Sequence, residues 1–311
     1  MPFSYVILFK FFVLNLRFLS AFVVKLVVCV FLLLPETPAF AQPATESGKE
    51  LKILCWNIYM LPRFALHTGK RKRAREIVKE LPKENYDIIV FQEAFHGDAR
   101  RILKRGLKKL YPYRIGPANR RPFWIKTNSG VWMLSKTPIK KLKQIKYIDC
   151  YGFTDCFARK GALLVEGEFE GQKFQLLGTH IQAGGPDSVK QSQYEEVRTL
   201  IDQYKTDNVP QILAGDFNMS PDRKGYAPMI KTLGVEEYEP AGELKYTASS
   251  LNDFRAGDDD RLIDFIFYKP NGVEPKTLIR NVKRFATPLP CFKNHCDLSD
   301  HLAVEAILRF K

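Results

Sequence analysis

The stretch VPQILAGDFNMSP (209–221) places two polar residues directly after an apolar run. The apolar part, residues 209–215, is short and predicts a buried β-strand. Asp216 and Asn218 follow this strand at once. Because the end of a buried strand holds a side chain rigidly, the stretch predicts a carboxylate and an amide that face a shared pocket.

Strands and helices alternate along the rest of the chain. Apolar residues recur at helical spacing in 71–81, 98–110 and 188–204, which predicts helices with one apolar face. Two of the apolar runs flank Glu-Gly-Gln (170–172) and predict a hairpin. The predicted strands are 51–58, 87–93, 130–134, 161–169, 173–181, 209–215, 262–268 and 302–310. With no linker-like gap in 51–311, the pattern predicts one α/β domain, a two-sheet β-sandwich core flanked by helices.

Polar side chains that could carry chemistry recur at the ends of these predicted strands. One such residue alone is usually solvated or structural, but several in one chain indicate a common site. They are Asn57, Glu93, His180, Asp216, Asn218, Asp264, Asp300 and His301. Carboxylate and amide oxygens of this kind suit a hard divalent cation such as Mg²⁺.

Several other hydrolytic classes lack their sequence signatures here. The chain contains no HExxH and no three-histidine cluster, which disfavours a zinc hydrolase. It also contains no GxSxG elbow and no GxxxxGK[ST] loop, which disfavours serine hydrolases and P-loop enzymes. Metal-assisted hydrolysis with a His–Asp base remains.

The order of these motifs resembles the endonuclease/exonuclease/phosphatase superfamily, over about residues 51–311. The motifs are WNIYMLP (56–62), FQEAF (91–95), SGVWMLSKTPI (129–139), GTHIQA (178–183), GDFNMSP (215–221), LIDFIF (262–267) and SDH (299–301). YPY (111–113) and CYGFTDCFARKG (150–161) make the chain similar to bacterial neutral sphingomyelinases. The resemblance implies a deoxyribonuclease-I-like fold. It also implies an Mg²⁺-dependent phospholipase C that cleaves sphingomyelin into ceramide and phosphocholine.

The resemblance assigns the metal and the base. Glu93 matches the main metal ligand, with Asn57 beside it, and the cofactor would be Mg²⁺ or another divalent cation such as Mn²⁺ or Co²⁺. His301 matches the general base that takes a proton from the attacking water, and Asp300 matches its orienting carboxylate. A carboxylate in that place fixes the imidazole tautomer and stabilises the imidazolium.

The resemblance also assigns groups around the phosphate. Asp216 and Asn218 would hold the water and phosphate oxygens, and His180 would donate to a non-bridging oxygen. Asp264 would orient His180 or another phosphate-contacting group.

Asp155 and Lys160 have the spacing of an Asp/Lys pair in neutral sphingomyelinases, with Lys160 reaching the phosphate. The alternative for these two residues is a solvated ion pair in a loop.

Residues 1–41 have the pattern of a secretory signal. Three basic residues and one acid accompany a purely apolar run at 26–34, and Ala39-Phe40-Ala41 offers a cleavage site before Gln42. The alternative is a membrane anchor, but each apolar stretch is interrupted or shorter than the roughly 20 residues that a span needs. We therefore expect a signal peptide at 1–41, a flexible leader at 42–50, and a secreted or periplasmic protein.

The cysteines fit an oxidising compartment. The close pairs Cys150/Cys156 and Cys291/Cys296 are candidates for two local disulfides, which leaves Cys55 free in an apolar strand. Other pairings stay open, since sequence does not determine connectivity.

The charge favours an anionic partner. The formal net charge is +14, and removal of residues 1–41 leaves +12. Phospholipid, nucleic acid and cell-wall polymer all suit such a protein. The basic runs at 70–75, 100–109 and 136–146 are interpreted as solvated faces, with docking to anionic lipid or to a nucleic-acid backbone as alternatives. Nucleic acid is the weaker partner, because no aromatic series for base stacking is interleaved with the basic residues.

Candidate membrane contacts are few. The region 284–295 offers Phe285, Leu289 and Phe292, and a second candidate is the pair Phe123-Trp124, whose alternative is core packing. No obligate protein partner is evident, so we expect a monomer on a sphingolipid or phospholipid surface.

Three functions stay open on the sequence. The first is the sphingomyelinase. The second is the same metal site acting on another phosphoester, such as a phosphoinositide, another phospholipid or DNA. The third is a non-enzymatic relative that binds a membrane or a host partner. This function is disfavoured because the candidate site residues are all present, namely Glu93, Asp216, Asn218, Asp300 and His301.

Overall fold

The structure is a computed structural model that describes residues 49–120 and 127–310. The predicted signal peptide, residues 42–48 of the predicted leader and the Phe123-Trp124 pair lie outside these ranges. Lys49 and Glu50, the last two leader residues, form ion pairs with Glu170 and Arg309, 3.0 and 3.1 Å apart.

Two β-sheets pack face to face, with helices on their outer sides. The strands are β1 (Leu51–Met60), β2 (Ile88–Ala94), β3 (Tyr113–Ile115), β4 (Trp132–Ser135), β5 (Ile139–Lys146), β6 (Gly161–Phe169), β7 (Gln172–His180), β8 (Gln211–Asp216), β9 (Asp264–Lys269), β10 (Thr277–Lys283) and β11 (Ala303–Arg309). The helices are α1 (Lys70–Glu84), α2 (Gly97–Gly106), α3 (Phe153–Phe157), α4 (Asp187–Gln203) and α5 (Tyr226–Leu233). The first sheet has the order β10-β11-β1-β2-β4-β3, and the second has the order β5-β6-β7-β8-β9. The predicted two-sheet sandwich is confirmed.

Three apolar layers follow from the alternation of side chains along the strands. In β1, Ile53 and Cys55 face the second sheet, whereas Leu54 and Trp56 face the other way, against α1 and α2. The outer side of the second sheet is covered by α4 and α5. Both faces of each central strand are therefore buried, which explains why the strands read as continuous apolar runs.

Most predicted elements lie within a few residues of the observed ones, and the predicted hairpin forms between β6 and β7. The basic run at 136–146, interpreted as a solvated face, contains β5, at an edge of the second sheet. Lys140, Lys141 and Lys143 are exposed on it. Charged side chains on an edge strand discourage pairing with another chain.

One predicted disulfide forms and one does not. Cys150 and Cys156 are bonded, and Cys55 is buried and free, as predicted. Cys291 and Cys296 are free thiols, so the second predicted disulfide is wrong for this structure. The turn between them is closed without a cross-link, because the Cys291 N–H donates to the carbonyl of His295 at 3.0 Å.

The predicted membrane contacts in 284–295 are mostly packed inward. Phe285 is buried and stacks on Trp56 with ring centroids 4.7 Å apart. Phe292 is partly buried and packs edge-on against His67, whereas Leu289 is exposed. Within residues 49–120 and 127–310, none of the helices has both the length and the apolarity that crossing a bilayer requires.

Candidate active site

The predicted site residues meet at one rim of the sandwich because of strand direction. β1 and β2 are parallel, and so are β7 and β8, so the carboxyl ends of each pair lie together. β9 and β11 run antiparallel to their neighbours and therefore begin at the same rim. His180, Asp216 and Asp264 are register partners across β7, β8 and β9.

A hydrogen bond joins the two sheets at this rim. The Asn57 amide, at the end of β1, donates to Asp216 Oδ2 at 3.0 Å. The Trp56 indole donates to the carbonyl of His301 at 2.9 Å, and Ser299 Oγ donates to the carbonyl of Asn57 at 2.6 Å. The segment before β11 is therefore tied to the end of β1.

A cleft of about 790 Å³ opens at this rim. The predicted residues that line it are Glu93, His180, Asp216, Asn218, Asp300 and His301. Asn57 and Asp264 are buried behind them. Sequence reasoning missed the cations that also line the cleft, namely Lys190, Arg223, Lys224, Arg255 and Arg261.

The structure assigns the orienting carboxylate of His301 differently from the sequence. His301 Nδ1 lies 2.8 Å from Asp264 Oδ2, and both side chains are buried. Asp300 instead pairs with Arg255, whose Nη2 is 3.3 Å from Asp300 Oδ2. Asp264 therefore holds the imidazole of His301, whereas the sequence-based assignment gave it to His180 or another phosphate-contacting group. Asp264 begins β9 in the second sheet, whereas His301 precedes β11 in the first sheet, so the local sequence around Asp264 gives no signal of this contact.

The charge on His301 depends on the carboxylates around it. Burial alone would lower the pKa of His301, but Asp264 and Asp300 outweigh it and raise the pKa to about 10. Arg255 Nη2 lies 3.2 Å from His301 Nε2, an approach that suits a lone pair on that nitrogen. We therefore assign the proton of the neutral ring to Nδ1, facing Asp264. Any cation that compensates the carboxylates lowers the pKa toward the range of a base.

His180 has the opposite environment. Burial lowers the pKa of His180 well below its ordinary value, and Lys160 and His301 add to the effect. Its Nε2 lies 3.5 Å from Asp216 Oδ2, and its Nδ1 has no hydrogen-bond partner among the described residues. His180 is therefore a neutral hydrogen-bonding group in the cleft rather than a fixed cation.

Two residues of the rim have left-handed backbone conformations. The φ angle is 53° at Glu93 and 50° at Asn218. Such conformations cost about 1–3 kcal/mol at non-glycine residues and cluster at functional sites. The side-chain amide of Asn218 donates to the carbonyl of Ile181 at 2.9 Å, which holds the residue in place.

The donor set fits a hard divalent cation. Glu93 Oε2 and Asp300 Oδ1 are shut off from solvent and have no hydrogen-bond partner within residues 49–120 and 127–310. Burial, with Asp300 adding to it, raises the pKa of Glu93 to about 7. Burial, with Asp264 adding to it, raises the pKa of Asp216 to about 6. This uncompensated negative charge is what a cation would neutralise.

A second group of potential metal ligands includes Asp216 and does not include Glu93. Asp216, Asp264 and His301 each offer a ligand atom, and these atoms lie within 4.8 Å of one another. The hydrogen bond between Asp264 and His301 accounts for part of this closeness. Asn57 donates to Asp216 and accepts from the Tyr59 N–H at 3.2 Å, so these contacts orient its amide while one lone pair of Oδ1 stays available to a cation.

Asp155 and Lys160 form an ion pair, but not a solvated one. Lys160 Nζ lies 2.9 Å from Asp155 Oδ1 and donates to the carbonyl of Ile181 at 2.9 Å, and the Lys160 side chain is buried. Lys160 does not line the cleft. It acts on the site through charge, since it lowers the pKa of both Glu93 and Asp216.

Arg73 is the buried cation that the helical pattern of 71–81 missed. Its guanidinium donates to the carbonyls of Ile58 and Leu298 at 2.9 and 2.8 Å, and its side chain is fully buried. Further bonds reach Thr68 and Tyr59. The interpretation of run 70–75 as a solvated face is thus wrong for Arg73 and for Lys70, which is also buried. One side chain ties α1 to the end of β1 and to the segment before Ser299.

Replacing Arg73 with methionine is expected to lower the free energy of unfolding by about 3 kcal/mol or more, since buried carbonyls lose their donors. Urea denaturation measures the change, and the midpoint should fall. Arg75→Met, at an exposed position of α1, is the matched control and should stay within about 0.5 kcal/mol. Equal midpoints for the two variants would contradict the structural role of Arg73.

Comparison with known proteins supports the fold and identifies the family. The chain matches the model of the Endonuclease/Exonuclease/phosphatase family over residues 54–301. It is 30% identical over 265 residues to Sphingomyelinase C 2 of Leptospira interrogans, a match covering 75% of this chain and 42% of that protein. It is 27% identical over 292 residues to a phospholipase C of Staphylococcus aureus, covering 84% of this chain and 88% of that protein. The chain spans about half the length of the Leptospira relatives that it matches first.

Solved structures agree with the two-sheet architecture. A beta toxin structure from S. aureus superposes with a TM-score of 0.74 at 24% identity, covering 82% of this chain and 99% of that chain. A beta toxin variant with bound magnesium ions superposes with a TM-score of 0.70 at 25% identity, covering 83% of this chain and 99% of that chain. Since the family model spans most of the described residues, the chain belongs to the endonuclease/exonuclease/phosphatase family and is similar to its sphingomyelinase C members.

Proposed function

We propose that this protein is an exported, Mg²⁺-dependent phosphodiesterase of the phospholipase C type that hydrolyses sphingomyelin to ceramide and phosphocholine. The observation that carries the proposal is the buried His301–Asp264 hydrogen bond, which turns Nε2 toward a cleft with unpartnered carboxylate oxygens. The similarity to sphingomyelinase C and phospholipase C proteins supports this substrate class. Mn²⁺ or Co²⁺ could replace Mg²⁺.

The side chains of the cleft suit attack of water on a phosphodiester. Once Arg255, whose Nη2 lies 3.2 Å from His301 Nε2, turns to the phosphate, Nε2 would accept the proton of the water, and Asp264 would stabilise the resulting imidazolium. Arg255 and Lys190 line the cleft and would bind phosphate oxygens, with neutral His180 as a further hydrogen-bonding group. Glu93, with Asp216 and Asn57 near it, would hold the cation. A bound divalent cation supplies Lewis-acid stabilisation of the charge on the phosphate and leaving oxygen.

The direct test follows phosphocholine release from sphingomyelin vesicles, with Mg²⁺ and with EDTA. Mg²⁺-dependent release that is lost in His301→Ala is expected. If folded protein releases no phosphocholine, the same metal site acts on another phosphoester, and phosphoinositide and DNA are then the substrates to assay. Hydrolysis that is insensitive to EDTA would contradict the metal.

Mg²⁺ affinity is expected to rise about tenfold or more between pH 5.5 and pH 7.5, because ligands must lose their protons before they bind a metal. The raised pKa values of Glu93 and Asp216, about 7 and about 6, place the change in this window. Affinity is lost as the pH falls through these values, since the neutral carboxyl groups are favoured below them. Isothermal titration calorimetry measures it, and a pH-independent affinity would exclude both groups from the metal site.

Export is part of the proposal. Residues 1–41 would be removed as a signal peptide, and the Cys150–Cys156 disulfide is consistent with an oxidising compartment. Amino-terminal sequencing of the protein from culture medium or periplasm should begin at Gln42. We further propose that the enzyme acts as a monomer on the membrane surface.

A further inference from the structure

A second cavity, of about 400 Å³, lies between the segment 63–69 and the first turn of α1. Its basic lining consists of Arg63, Lys70, Arg71, Lys72 and Arg75. Two histidines and Phe292 complete the wall, and no acidic residue lines it. None of these side chains lines the catalytic cleft.

Much of the positive charge in this cavity is uncompensated. Arg63 Nη2 lies 3.0 Å from Asp98 Oδ2, and buried Lys70 donates to two backbone carbonyls. Arg71, Lys72 and Arg75 are exposed and have no acidic partner in the described part of the chain. The first turn of α1 also carries no acid, although a helix N-terminus favours negative charge. The cavity therefore favours an anionic ligand.

An apolar ridge adjoins this cavity. It consists of Phe64, Leu66, Phe153 and Phe157. Phe64 is 71% exposed and Phe153 is 84% exposed, and both pack on Phe157, with ring centroids 5.3 and 5.9 Å away. Because Phe64 and Leu66 lie between the cavity residues Arg63 and His67 in one loop, the ridge and the cavity are neighbours. Clustered exposed aromatic side chains mark an interaction surface.

The ridge is also connected to the catalytic cleft. Asp155, in the same short helix as Phe153 and Phe157, accepts a hydrogen bond from the Ala183 N–H at 2.9 Å. Ala183 lines the cleft. A planar surface that covers the ridge would therefore lie beside the cleft mouth.

We propose that the apolar ridge and the basic cavity together form a docking surface for a lipid bilayer, with the phosphate-bearing headgroup of an anionic lipid in the cavity. The ridge would enter the interface, and the unpaired cations would meet the negative surface. This docking surface would serve the proposed sphingomyelinase by holding the cleft against its substrate layer, but binding itself requires no hydrolysis. Only this benefit to catalysis rests on the proposed function, and the docking itself does not.

The test measures binding to vesicles that contain no sphingomyelin, in EDTA, so that catalysis plays no part. Phosphatidylcholine vesicles with and without phosphatidylserine are compared by co-sedimentation. Wild-type protein should prefer the vesicles with phosphatidylserine. Arg71→Gln/Lys72→Gln/Arg75→Gln should lose about tenfold or more of that affinity. The matched control Lys140→Gln/Lys141→Gln/Lys143→Gln removes the same charge from exposed positions of β5 and should lose much less.

The two halves of the surface are separated by a second variant. Phe64→Ser/Phe153→Ser should weaken binding to both kinds of vesicle, because both residues are exposed and neither is needed for the core. Urea denaturation checks that every variant folds as the wild type does.

Two results would overturn the proposal. One is equal loss in the cavity variant and its β5 control, which would indicate diffuse attraction by net charge. The other is wild-type binding that does not respond to phosphatidylserine. Hydrolysis of sphingomyelin in neutral detergent micelles is measured in parallel and should be unchanged in the cavity variant. Vesicle binding without any such hydrolysis would reject the proposed function and leave the docking surface standing.

Discussion

Replacing His301 with alanine is expected to lower kcat for phosphocholine release by about 10²–10⁴-fold, the usual contribution of general acid–base catalysis. The imidazole is buried, bonded to Asp264 at 2.8 Å, and turns Nε2 toward the cleft. Removing it leaves the attacking water without a proton acceptor, while the groups that bind the phosphate remain. KM should therefore change less than kcat.

His301→Gln is the second variant for this prediction. The alanine substitution leaves the buried Asp264 carboxylate without its partner, which could destabilise the fold. A glutamine amide can still donate to Asp264 but cannot take up a proton at neutral pH. A folded His301→Gln variant with the wild-type rate would remove His301 as the base.

The role of Asp264 separates the structure from the sequence-based assignment. Asp264→Asn should lower kcat strongly, because the amide no longer stabilises an imidazolium. Asp300→Asn, a matched change at the second carboxylate that raises the pKa of the same imidazole, should have the smaller effect, since Asp300 pairs with Arg255. Steady-state kinetics of the two variants decide between them, and the reverse order would restore Asp300 as the orienting group.

Replacing Glu93 with alanine is expected to weaken Mg²⁺ binding so far that low Mg²⁺ concentrations no longer support activity. The loss of affinity should exceed the roughly 10–100-fold that removal of an outer partner of a metal ligand costs. The reason is geometric, because Glu93 is held in a left-handed backbone conformation with one carboxylate oxygen lacking any described hydrogen-bond partner. Isothermal titration calorimetry measures the affinity, and activity against Mg²⁺ concentration gives the functional consequence.

Asp222→Ala is the control for this prediction. Asp222 lines the same cleft but is largely exposed at its mouth, so the change removes an equal charge without removing a buried oxygen. The Mg²⁺ affinity of this variant should stay close to that of the wild type. Equal losses in the two variants would mean that the cleft attracts Mg²⁺ by charge alone, without a dedicated ligand at Glu93.

Local sequence was sufficient for the buried strands and for most of the polar residues at their ends, but it missed β3, β5 and β10, which lie at sheet edges and are only partly buried. A buried strand must be apolar over its whole length, so runs such as ILCW (53–56) and QILAG (211–215) identify themselves. The polar residue that ends such a run has to lie at a sheet rim. This is why Glu93, His180, Asp216 and His301 could be placed in one cleft before the strand order was known.

The partners of those residues depended on the tertiary structure. Asp264 and His301 are 37 residues apart, and their contact exists only because β9 and β11 begin at the same rim of two different sheets. Arg73 lies on the polar side of a helical pattern, yet its acceptors include a carbonyl 225 residues away. Hydrogen-bond partners follow from which faces and strand ends meet. Periodicity reports only whether each segment has an apolar side, so it determined the elements and the rim, and tertiary packing decided the pairs.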